Sequence, residues 1–132
     1  MDSFRKLDPA AHARIATFAE AYRRDGVVHI PAALNADDLA VAKSLYEWSK
    51  AHPGQAVMDG AVEGGESFFM DTHNRNARDH YRAVLAQSRL PAIAAAVMGR
   101  DQLWFLGEQL FVKEGTENTR GTPWHQDIDL PI

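Results

Sequence analysis

The sequence predicts an α+β domain, and three observations carry that expectation. Apolar residues recur at helical spacing through most of residues 1–99. Segments rich in aromatic and β-branched side chains take over after Gly99. Helices therefore come first and strands last, with no internal repeat, low-complexity tract or linker between them. At 132 residues the chain is read as a single domain, long enough to bury roughly two-thirds of its unfolded surface. Its expected division is residues 1–99 mainly helical and residues 100–132 strands.

In chain order, Asp8-Pro9 pairs an N-cap acceptor with proline at the first helical position. Ala11, Ile15, Phe18 and Tyr22 then form one apolar stripe, and Gly26 closes the helix. Val27-Val28-His29-Ile30 reads as a short strand stopped by Pro31. Asn35 caps a second helix whose buried face is expected to carry Leu39, Ala42, Leu45, Tyr46 and Trp48, ending at His52-Pro53-Gly54. Residues 55–65 are glycine-rich and poorly periodic, a mobile loop or a weak hairpin, and Ser67-Phe68-Phe69-Met70 is strand-like. Asp71-Thr72-His73-Asn74 leads into a third helix through Tyr81, Val84 and Leu85. Arg89-Leu90-Pro91 starts a fourth, alanine-rich helix that Gly99 ends. Two strands follow, Gln102-Leu103-Trp104-Phe105-Leu106 and Glu108-Gln109-Leu110-Phe111-Val112-Lys113. Residues 114–121 form a polar turn, and Pro123-Trp124-His125-Gln126-Asp127 returns as a strand.

Composition narrows the chemistry. Apolar and charged fractions of 45% and 24% are those of an ordinary globular protein. A net charge of -4 with no basic run gives no footprint for nucleic acid or a membrane surface. The absence of cysteine excludes disulfides, zinc-thiolate sites and thiol nucleophiles, so any metal must be held by His, Asp, Glu or backbone oxygen. Met1-Asp2-Ser3-Phe4 opens no signal peptide, and no apolar run approaches membrane-spanning length, which makes a cytoplasmic location the expectation.

The chemistry-bearing motif is Thr122-Pro123-Trp124-His125-Gln126-Asp127. On an extended strand, His125 and Asp127 point to the same side. An imidazole nitrogen and a carboxylate oxygen so placed can reach one ion, as two members of a 2-His-1-carboxylate facial triad.

That motif, the preceding Glu108-Gln109-Leu110-Phe111-Val112-Lys113-Glu114-Gly115, the opening Arg24-Asp25-Gly26-Val27-Val28-His29-Ile30-Pro31 and Met70-Asp71-Thr72-His73-Asn74-Arg75 together resemble the phytanoyl-CoA dioxygenase family. The likeness spans nearly the whole chain. It implies an Fe(II)- and 2-oxoglutarate-dependent dioxygenase on a double-stranded β-helix (jelly-roll, cupin-like) core. Such enzymes couple oxidative decarboxylation of 2-oxoglutarate to hydroxylation of an unactivated C–H bond in a small-molecule substrate. By position, His125 and Asp127 match the first two iron ligands, and Gln109 matches a position lining the 2-oxoglutarate pocket. Gln126 sits between the ligands, within reach of the cosubstrate, although alternation turns its side chain away from the metal. Lys113 shares a strand face with Gln109 and could attract a carboxylate. The family takes its third ligand, a histidine, and the basic residue anchoring the far carboxylate from well beyond the HxD motif, where this sequence supplies neither. The lysine that some members place near residues 70–73 is also missing.

The resemblance thus implies the N-terminal part of an oxygenase, with sheet edges and apolar faces exposed unless a complementing C-terminal segment or a second copy covers them. A non-catalytic binding or oligomerising module is the alternative, and metal binding without 2-oxoglutarate, as in other cupin-like proteins, a third. Among other candidates, His73 is the one histidine that could complete the triad; the competing reading is hydrogen bonding in a loop or cap. His29 reads as a packed or half-exposed side chain, and His12, His52 and His80 as surface residues. Trp104, Phe105 and Phe111 are expected in the core rather than in a substrate box, and Asp71 and Glu63 in solvated or capping roles.

Overall fold

The computed structural model describes residues 5–62 and 66–115, without the side chains of residues 59, 61, 62 and 66. The architecture is α+β. Helices α1 (Pro9–Ala16), α2 (Ala19–Asp25) and α3 (Ala36–Ala51) precede a hairpin of β1 (Met58–Val62) and β2 (Glu66–Thr72). A 3-10 turn (Arg75–Ala77) leads into α4 (Arg78–Gln87), followed by α5 (Leu90–Met98) and β3 (Gln109–Glu114). The strands form one antiparallel sheet in the order β1-β2-β3.

Local chemistry sets the helix ends. The Asp8 carboxylate accepts from the Ala11 N–H ahead of Pro9, satisfying one of the donors that a helix start leaves unpaired. Asn35 and Asp38 form a reciprocal capping box on α3. Gly26 and Gly99 close α2 and α5 in the left-handed conformation, at φ 73° and 60°.

The single helix expected between Asp8 and Gly26 is broken instead. The Thr17 hydroxyl donates to the Arg14 carbonyl at 2.7 Å and the Phe18 N–H bonds to Ile15, three residues back, so α2 starts anew at Ala19.

A helical core joins Ile15 of α1 to Ile93, Ala96 and Val97 of α5, with Tyr22, Val28, Ile30 and Leu34 packed against it. Residues 27–30 are not the short strand that the sequence predicts, because no other strand among the described residues pairs with them. Their alternation is real, however: Val28 and Ile30 turn inward while Val27 and His29, the latter read from the sequence as packed or half-exposed, are exposed. Alternation reports an extended backbone, not a ladder. Residues 102–106 depart in the same way, with no strand pairing and Leu103, Trp104, Phe105 and Leu106 all exposed. On α3 the expected apolar face is also only partly covered, since Leu39 and Tyr46 are exposed while the buried residues are Asp38 and Ser49.

Asp38 fixes α3 to the start of α5. Its carboxylate accepts from the Asn35 N–H (3.0 Å), the Arg89 N–H (2.9 Å) and Arg89 Nε (2.8 Å), and Arg89 Nη2 also reaches the Ala33 carbonyl. Across the α3–α4 seam, Trp48 is stacked between His52 and His80, at centroid distances of 4.5 and 4.1 Å. Among the described residues no helix is long and apolar enough to cross a membrane.

Candidate functional site

Strand register sorts the sheet into two faces, because directly paired residues in an antiparallel ladder share a side. Thr72 pairs with Gln109, Met70 with Phe111 and Met58, and Phe68 with Lys113, placing these side chains on one face. Phe69, Asp71, Leu110 and Val112 belong to the other. The first face is open: Gln109 and Lys113 are exposed, Phe111 is 50% and Met58 53% exposed, and Phe68 packs against Phe111 with ring centroids 6.5 Å apart. Gln109 and Lys113 therefore lie on one face of β3, as the alternation of the sequence requires. Phe111 stands between them rather than in the core, and Trp104 and Phe105 are likewise outside it. Aromatic and β-branched content marks a segment that suits a pleated surface, but it does not say which face is covered.

Behind the sheet sits a polar cluster that the sequence did not single out. Asp71, expected to be solvated or capping, is only 1% exposed. One carboxylate oxygen, Oδ2, accepts from the Gly54 N–H (3.0 Å) and from Asn74 Nδ2 (2.9 Å); the other is buried without a hydrogen-bond partner. Gly54 is required here, since a Cβ at that position would stand 3.0 Å from Asp71 Oδ1. Asn74 uses its whole amide: Nδ2 also donates to the His52 carbonyl (2.8 Å), and Oδ1 accepts from the Asn76 N–H (3.1 Å). Its backbone N–H donates to Glu108 Oε1 at 2.6 Å, while the Glu108 carbonyl accepts from the His73 N–H at 3.2 Å. Glu108 is thus held by backbone and side chain, immediately before Gln109.

Tyr81 completes the cluster. Burial pushes its hydroxyl well above the usual tyrosine range, and the Glu108 carboxylate beside it pushes further. The Ser49 hydroxyl stands beside it and opposes that shift, although its buried Oγ makes no hydrogen bond of ordinary geometry.

His73 adopts a left-handed backbone, φ 53°, with its ring against Gly107. Among the described residues no three His, Asp or Glu side chains stand close enough to hold a metal. His125, Gln126 and Asp127 lie outside the described residues, as does Glu63. Of the residues that sequence reasoning missed, Asn74 had a local signal as an Asx cap before a helix. Ser49, Tyr81 and Glu108 had none, because their association is tertiary.

No protein-family model, curated protein or solved structure matches this chain.

Proposed function

We propose that this chain is the N-terminal part of an Fe(II)- and 2-oxoglutarate-dependent dioxygenase of the phytanoyl-CoA dioxygenase type. In this reading the helices pack on the first strands of a double-stranded β-helix, and a small molecule is the substrate. The observation that carries the proposal is the open sheet face. β3 presents Gln109 and Lys113 there beside Phe111, Phe68 and Met70, and His125 and Asp127 follow it in the sequence.

The residues suit the group. A neutral imidazole and an anionic carboxylate favour ferrous iron over softer ions, and no thiolate competes. His125 and Asp127 would hold the iron, Gln109 would hydrogen-bond 2-oxoglutarate with Gln126 close by, and Lys113 would draw in a carboxylate. Phe111, Phe68 and Met70 would keep water from the reacting centre. Bound iron and 2-oxoglutarate supply the oxidising power for C–H hydroxylation. The distal histidine and the basic anchor would come from a further segment or a second polypeptide. In this reading the protein works in the cytoplasm.

Anaerobic titration with Fe(II) and 2-oxoglutarate is the test. A metal-to-ligand charge-transfer absorption, lost in Asp127→Ala, is expected; an unaltered spectrum, or unchanged iron affinity in that variant, removes the proposal. A second reading, a non-catalytic binding or oligomerising module, is favoured by Trp104 and Leu106, which are 89% and 84% exposed. Self-association without any response to iron would support it.

A further inference from the structure

A cleft of about 130 Å³ opens where α3, α4 and the start of β3 meet. Ser49, Tyr81, Glu108 and Gln109 are among its polar lining, Leu45 and Leu110 among its apolar walls. We propose that this cleft binds a primary ammonium group carried on a short apolar stem. The inference does not rest on the oxygenase reading: Gln109, given to 2-oxoglutarate there, also borders the cleft, but Ser49, Tyr81 and Glu108, which carry the inference, have no part in holding iron or 2-oxoglutarate.

Ser49 provides the first reason. The residue is 4% exposed and its Oγ has no hydrogen-bond partner, a state that native structures relieve with a polar occupant. Charge provides the second. Glu108 is the one formal charge in the lining, which contains no basic residue. Tyr81 stays protonated throughout the physiological range, since burial and then the neighbouring carboxylate disfavour its ionised form. The cleft therefore favours cations and rejects carboxylates and phosphates.

Hydrogen-bond capacity narrows the cation. Glu108 accepts the Asn74 N–H at 2.6 Å through Oε1, which fixes its orientation and leaves lone pairs on the carboxylate. Ser49 Oγ and Tyr81 Oη are further acceptors, so an ammonium group with three donors can reach three partners. The volume equals that of about four waters at roughly 30 Å³ each, enough for the head group and two or three carbons. Leu45 and Leu110 would cover that stem.

The experiment is an amide chemical-shift titration of the 132-residue chain with propylammonium chloride, against sodium chloride and sodium propionate at equal ionic strength. Saturable shifts at Ser49, Tyr81 and Glu108 with propylammonium alone are expected. Glu108→Gln should weaken binding about tenfold or more, and Ser49→Ala about threefold, as loss of a charged and a neutral hydrogen bond requires. Because Glu108→Gln also disturbs the Asn74 contact, Ser49→Ala with an otherwise unchanged spectrum is the decisive variant. Non-saturable shifts shared with sodium chloride would mean that only water fills the cleft and would overturn the proposal. So would unchanged affinity in Ser49→Ala.

Discussion

Asp38 is the residue whose loss should cost the fold most. Its carboxylate is fully buried, with Arg89 and two backbone N–H groups around it. Removing it in Asp38→Ala leaves a guanidinium without its partner, and a destabilisation of about 3–5 kcal/mol is expected in urea unfolding. Burial alone would raise its pKa, but the Arg89 side chain and the Asn35 and Arg89 N–H groups outweigh that, and the net shift is downward. A depressed folded-state pKa means that the stabilisation is present above the unfolded carboxylate value, about 4, and is lost as pH falls through the lower folded value. Thermal melts between pH 6 and pH 2.5 should show this acid limb in the wild type and a shallower one in Asp38→Asn. At Gly54 the constraint is steric. Gly54→Ala places a methyl 3.0 Å from Asp71 Oδ1 and 3.2 Å from the Asn74 amide carbon, so a loss of about 1–3 kcal/mol is expected by the same measurement.

At the scale of elements, what the sequence disclosed was local. The Asp8 and Asn35 caps and the Gly26 and Gly99 stops act within a few residues of themselves, and each stands where its side chain or its missing Cβ dictates. Asn35→Ala should cost about 1 kcal/mol, less than Asp38→Ala, because it removes one half of the capping box and leaves the buried ion pair in place. A double-mutant cycle of the two should depart from additivity, since the side chains share the cap. Strand assignment failed wherever it depended on a partner. Residues 27–30 and 102–106 have the right composition but no ladder, whereas the weak glycine-rich stretch pairs with β2 because Met58 and Gly60 meet Met70 and Phe68 in register. The polar cluster was hidden for a related reason. Asn74 and Glu108 are 34 positions apart and Gly54 and Asp71 17, separations that no local pattern spans. Gln109 and Lys113 could be placed on one face from alternation alone, because period two is a property of the strand itself.

For the molecule as a whole, the unusual quantity is uncovered apolar surface: Leu103, Trp104, Phe105 and Leu106 in succession, with Phe111 and Met58 on the sheet. Such a surface should bind a hydrophobic dye such as ANS, and Trp104→Ser with Leu106→Ser should lower that fluorescence without lowering the melting temperature. An unchanged signal would place the dye elsewhere. The buried apolar cluster, for its part, draws on α1, α2, α5 and the segment between α2 and α3, and takes nothing from α4 or the sheet. The grip of Arg89 on Asp38 is therefore a suture between two halves that share little interior. With that suture intact, the halves should melt together. Cut by Arg89→Ala, a differential scanning calorimetry trace with one endotherm should divide into two, the sheet half parting from the helical half at the lower temperature.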